Sequence, residues 1–370
     1  MKKLLLATTS LVGAAALAAS ASAAAPELSI SGNLDVRMVG GQNQATAQTT
    51  ATNPAQTGET TRVGNGGWNM ANSNSVSEIK FNANGETDDG ISYGADVQYR
   101  YLISATDEAF IYISGDFGKI VLGQDDGAYN ATVPYAGSVG AGPYGIDGGT
   151  TGMEPQLNAA YNDSNKIKFQ SNDMNGLKFN VSIDPEQTDA NAGGTDVNYE
   201  NMVEAGVSYS ASVGEGSFTI AAAHIMASAV QTSVDATARI EDMSETGFGV
   251  KASFGPVSVA ASISDEGDSG LTQTQTTSDG MSGAVYRSIG ASYDLGAATV
   301  SASHATTEWD TGATTSTDES LTVFEAGFEI MPGMAGYAGV ALSESVTNGD
   351  NDVTNDFEGT TYVVGTTISF

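Results

Sequence analysis

The chain has no cysteine among its 370 residues. A disulfide framework, a thiolate nucleophile and a cysteine-ligated zinc or iron–sulfur centre are therefore excluded. Positive charge is also scarce: 13 Lys and Arg stand against 44 Asp and Glu, a net charge of −31. Nucleic-acid binding needs a basic footprint that releases counterions from phosphates, so nucleic acid is excluded as a partner. Charged residues make up only 15% of the chain, against about 25% in soluble domains. Leu is sparse, so long amphipathic helices are not expected. Beyond residue 25 no apolar run approaches the roughly 18 residues of a membrane helix. Only two histidines occur, and no HExxH, P-loop or nucleotide-binding glycine pattern is found. Gly, Ala, Ser, Thr and Asn take up the room, with 45 Gly.

The N-terminus has its own pattern. Lys2 and Lys3 precede the apolar stretch Leu4 to Ala19, and Ala21-Ser22-Ala23 follows as a small-x-small site. These are the three parts of a secretory signal peptide. Cleavage is expected after Ala23, because a cut after Ala25 would place Pro26 beside the scissile bond. Residues 1–23 are then the signal and 24–370 one exported domain. Losing Lys2 and Lys3 takes the net charge from −31 to −33.

Alternation dominates the rest. Ile91, Tyr93, Ala95, Val97, Tyr99, Tyr101 and Ile103 interleave with Ser92, Gly94, Asp96, Gln98 and Arg100. A period of two with one apolar and one polar face is a β-strand. Similar segments recur near 27–39, 75–86, 108–115, 118–124, 165–171, 176–184, 200–210, 217–227, 245–254, 257–265, 284–295, 297–307, 319–330, 335–346 and 358–370. Short turns such as Asp88-Asp89-Gly90 and Gly214-Glu215-Gly216 alternate with long polar stretches at 40–74, 125–164, 185–199, 228–244, 266–283, 308–318 and 347–357. The spacing predicts an all-β fold: a transmembrane antiparallel β-barrel of about sixteen strands, with short periplasmic turns and long extracellular loops. Closure is demanded by physics, since each unpaired backbone group in hydrocarbon costs several kcal/mol. A soluble sandwich would need large side chains on its apolar face, and here many such positions are Ala, Gly, Thr or Tyr.

Three stretches carry a family resemblance. Gly115-Asp116-Phe117-Gly118-Lys119-Ile120-Val121-Leu122-Gly123-Gln124-Asp125 resembles the strand pair and turn that precede the third loop of Gram-negative general porins. Asn165 to Ile183 resembles that family's next hairpin. The terminal TYVVGTTISF resembles its last strand, whose final aromatic, here Phe370, is implied as an assembly signal. The nearest likeness is to alphaproteobacterial porins. It implies a homotrimer in the bacterial outer membrane, among lipid and lipopolysaccharide, that passes small hydrophilic solutes and ions. The chain departs at Gln124, where the family often has Arg, and at 105–107, too short for the usual trimer latch.

Parity identifies the lumen residues. Arg37, Lys80, Arg100, Lys166, Lys168 and Lys178 oppose the apolar sets of their strands, and Lys119 shares that phase. Seven of the mature chain's eleven basic residues thus point inward on the first seven strands. Loop 125–164 carries Asp125, Asp126, Asp147 and Glu154, and its length without periodicity marks it as functional. Folded inward, its acids would face a basic wall across a constriction, the arrangement by which charged rings select ions. The loop's many glycines would permit tight packing, and the residual negative charge implies a modest cation preference. His224 and His304 lie four strand spacings apart, about 19 Å, too far to share a metal. Arg287 has outward parity. Asn348-Gly349-Asp350-Asn351-Asp352 is half a calcium loop lacking the bidentate Glu, with Asp350 and Asp352 as candidate weak ligands; no other cofactor is implied. The expected function is passive diffusion, not enzymatic. Two alternatives remain open: a secreted acidic calcium-dependent adhesin or surface-layer protein, and an outer-membrane barrel enzyme.

Overall fold

A computed structural model describes residues 26–47, 59–62, 68–72, 77–101, 105–142, 164–186, 199–230, 239–348 and 355–370. Alternation along these residues builds β1 (Glu27–Ala47), β2 in three segments (Glu59–Arg62, Trp68–Asn72 and Glu78–Glu86), β3 (Ser92–Arg100), β4 (Ala105–Gly115), β5 (Gly118–Gln124), β6 (Asn165–Gln170), β7 (Leu177–Glu186) and β8 (Tyr199–Val213). The second half adds β9 (Gly216–Ala229), β10 (Met243–Phe254), β11 (Val257–Asp265), β12 (Val285–Asp294), β13 (Thr299–Gly312), β14 (Thr315–Met331), β15 (Met334–Asn348) and β16 (Asn355–Ser369). The three β2 segments follow one another along a single edge of β1, so they are one interrupted strand. Neighbours in sequence pair antiparallel all the way round. The other edge of β1 pairs with β16, from Asn33 opposite Ser369 to Ala47 opposite Asn355. Gly32 and Phe370 extend this seam with two backbone hydrogen bonds of 2.9 and 3.0 Å. The sheet is a closed barrel of sixteen strands.

The apolar side faces out. Leu28, Phe254 and Ile289 are each more than half exposed, which a soluble protein would not tolerate as a continuous band. Among the described residues no helix is long and apolar enough to cross a membrane; the strands do so. Tight hairpins join them on one side, as at Asn175 and Gly176, both with positive φ, the pairing that a two-residue turn matched to strand twist requires.

Two loops expected from the sequence are shorter than the reading above. Within 40–74, β1 runs on to Ala47 and β2 begins at Glu59; within 308–318, β13 and β14 leave only a turn. Beyond the membrane both faces of a strand are wet, so the backbone ladder continues without any hydrophobic alternation to reveal it.

Candidate functional site

The loop that leaves β5 at Asp125 turns into the barrel and lies on its inner wall. Its backbone donors are satisfied by side chains of successive strands. The N–H of Ala128 donates to Ser182 Oγ on β7 (3.0 Å) and that of Tyr129 to Glu204 Oε2 on β8 (2.8 Å). Further along, Ala136 N–H reaches Ser288 Oγ on β12 (3.0 Å), Ala141 N–H Ser301 Oγ on β13 (2.9 Å), and Gly142 N–H Glu325 Oε2 on β14 (2.8 Å). The Tyr129 hydroxyl donates to Ser264 Oγ on β11, which donates to the buried carboxylate of Glu245 on β10. Lys251 Nζ on β10 donates to Ser138 O at 2.8 Å. The described part of the loop therefore crosses half the barrel circumference, from β7 to β14.

Apolar side chains complete the seating. Tyr129 and Val133 pack with Met202, Ile225 and Met243 in one cluster; Ala136 packs with Leu321, Val323 and Tyr337 in a second. Glycines make the approach possible. A Cβ at Gly327 would stand 1.9 Å from Ala141 O, and one at Gly249 would stand 2.2 Å from Pro134 O. These residues have inward parity on β14 and β10, so an inward glycine on alternate strands was the sequence signal for where the loop lies.

The seven basic residues with inward parity lie on β1 to β7, each with a partner. Arg37 Nε lies 3.4 Å from Asp35, which also accepts from Tyr337 (2.6 Å) and Thr367 (3.2 Å). Lys80 pairs with Glu78 at 2.8 Å and Arg100 with Asp107 at 2.7 Å. Lys166 stands 3.9 Å from Glu204, both buried. Lys168 lies 2.5 Å from Asp125 and donates to Asp126 O. Lys178 meets Asp173 at 3.9 Å in an exposed pair near the hairpin turn. Lys119 stands over two inward rings, 4.5 Å from the centroid of Tyr112 and 5.6 Å from that of Phe110.

The geometry thus differs from an unpaired basic wall faced by the loop's acids. Asp125 sits at the loop's root against the basic wall, where it neutralises Lys168, instead of facing that wall across the lumen. Asp147 and Glu154 lie outside the described residues, as do Asp350, Asp352 and residues 1–23. Sequence parity had counted the cations and passed over Asp35, Glu78 and Asp96, which share their phase. It could not have found Asp107 and Glu108 together. A bulge between Gln98 and Tyr99 of β3 leaves Asp107 as an extra residue on β4, and bulges re-aim side chains in this way. His224 and His304 bond Thr246 (2.9 Å) and Thr322 (2.8 Å) on adjacent strands. Arg287 is exposed beside Glu308, 3.1 Å away. Among the described residues no cluster of His, Asp and Glu could hold a metal ion.

A closed sixteen-stranded barrel with an inward-folded loop and a charged wet lumen is a membrane channel. The chain belongs to the Gram-negative porin family, whose profile matches residues 7–365. It is an outer-membrane diffusion channel. In fold it is similar to a loop L8 deletion mutant of OmpT, an outer membrane protein of Vibrio cholerae (TM-score 0.60, 13% identity, covering 94% of this chain and 100% of that one). It is also similar to an anion-selective porin from Comamonas acidovorans (0.55, 14%, 93% and 100%). A mutant of Rh. blastica porin is a third such structure (0.53, 16%, 93% and 100%). No curated protein sequence matches the chain.

Proposed function

We propose that the channel is a passive, cation-preferring pore for small hydrophilic solutes, narrowed by loop 125–164, with no catalytic step. The observation that carries this reading is the loop's anchorage across the lumen wall, through the serines and glutamates of β7 to β14. Asp126, Asp147 and Glu154 are the acidic side of the narrowing, while Asp125 is held against Lys168 at the loop's root. Arg37, Lys80, Arg100, Lys119, Lys166, Lys168 and Lys178 are its basic side. Because six of these cations already pair with a carboxylate, the acids left over set the sign, and a negative lumen concentrates cations.

Residues 1–23 are the export signal, Phe370 serves assembly, and the protein is a homotrimer set in lipid and lipopolysaccharide. One of the structures similar in fold is a trimer form of Vibrio cholerae OmpT (TM-score 0.57), which supports that assembly. The outward setting of both histidines, each spent on a threonine, supports a pore over an enzyme. Liposome swelling with sugars of graded size tests the narrowing. The wild type should exclude sugars that a variant lacking residues 128–142 admits. Equal size limits for the two would remove the loop from the passage.

A further inference from the structure

On the lumen wall two carboxylates on adjacent strands share one neutral amide. Gln98 on β3 donates to Glu108 Oε2 on β4 and also to Asp96 on its own strand. Among the described residues neither carboxylate belongs to an ion pair, although Glu78, Asp107 and Asp125 on the same wall all do. One oxygen of Asp96 is covered and accepts no hydrogen bond from the described residues, a costly condition for a carboxylate.

Beside this pair two aromatic rings turn into the lumen. Phe110 stands opposite Asp96 in the β3–β4 register, and Tyr112 follows two residues on, its hydroxyl donating to Asn84 at 2.7 Å. Lys119, which makes no ion pair among the described residues, lays its ammonium between these rings. The wall therefore already accommodates an ammonium group on an aromatic floor, with two carboxylates close by that are in no direct ion pair among the described residues.

We propose that Asp96, Glu108, Phe110 and Tyr112 form a lumenal seat for solutes bearing primary ammonium groups, with Lys119 as a tethered competitor for it. Aromatic faces attract ammonium cations, and the carboxylates accept its N–H donors through charge-assisted bonds. A bare metal ion is the wrong occupant, since the described acids do not converge on one point. Competition from Lys119 keeps residence short, as a conducting pore requires. The proposal rests on the passive pore proposed above, and not on the sign of the bulk ion preference.

Block of potassium current by spermidine, a linear triamine, tests it in planar bilayers, with heat-modifiable gel mobility showing that each variant is a folded barrel. Phe110→Leu leaves every charge in place and should raise the half-blocking concentration about three- to fivefold. Asp96→Asn with Glu108→Gln should raise it further, and Lys119→Met should lower it. If Phe110→Leu and the double variant both block like wild type, or if Lys119→Met weakens block, the seat is refuted. Reversal potentials in KCl on the same channels separate the two readings. An anion-side potential with the predicted block pattern overturns the bulk preference and leaves the seat standing.

Discussion

Gly327 and Glu325, two residues apart on β14, govern the loop from opposite directions. Glu325 draws Gly142 N–H to 2.8 Å, and Gly327 leaves room for the neighbouring Ala141 carbonyl. A methyl group at Gly327 meets backbone, which cannot swing aside as a flexible side chain would. Gly327→Val should therefore push the loop from the wall while the barrel still closes. The expected outcome is an altered single-channel conductance with an unchanged heat-modifiable gel shift. Wild-type conductance would mean that the loop does not rest on β14. Arg100 gives a second test. Its partner Asp107 is nearly buried, and Arg100→Gln leaves that carboxylate uncompensated beside Asp96 and Glu108. The reversal potential should move toward cations; a move toward anions would contradict the pairing. Parity assigns Arg100 to the lumen from sequence alone, because its strand alternates without interruption. The same rule fails at Asp107, where the bulge shifts the phase by one residue.

Elements beyond the strands show where sequence stops being informative. Within the membrane each strand must be apolar on one side, so all sixteen were legible as alternation. Above it that constraint lapses, and the extension of β1 to Ala47 leaves no trace in the pattern. Loop 125–164 was recognisable by length, yet its path depended on serines and glutamates scattered over six strands, which no local pattern ties together. The loop that follows β11 carries its own test. Burial, with Glu245 nearby, raises the carboxyl of half-buried Glu266 to about 7, partly offset by hydrogen bonds from Tyr286 and Ala284. A carboxyl raised in the folded state favours folding less as pH climbs from its ordinary value through about 7. Residues 266–284 should therefore exchange amide hydrogens more slowly at pH 5 than at pH 8, after correction for intrinsic rates. Glu266→Gln should remove the difference. A loop equally protected at both pH values would place the titration elsewhere.

The whole molecule is held by one seam, β1 against β16. Phe370 ends it with two backbone hydrogen bonds to Gly32, and its ring covers that glycine. These contacts stand at the periplasmic rim, away from the loop. Deleting Phe370 should lower the yield of assembled barrel and leave the conductance of surviving channels unaltered; a full yield would remove its assembly role. The lumen above that rim combines mutually neutralised charge pairs with additional carboxylates, inside a chain whose sequence is strongly acidic. Its outer mouth and lumen should both concentrate cations, over a distance screened to about 10 Å at 0.1 M salt.

Zero-current potential across a planar bilayer under a KCl gradient tests the central claim most directly. Purified protein should insert in discrete conductance steps, and its reversal potential should lie on the potassium side and shrink as total salt rises. A reversal potential on the chloride side, or one indifferent to salt, would contradict a passage governed by these carboxylates.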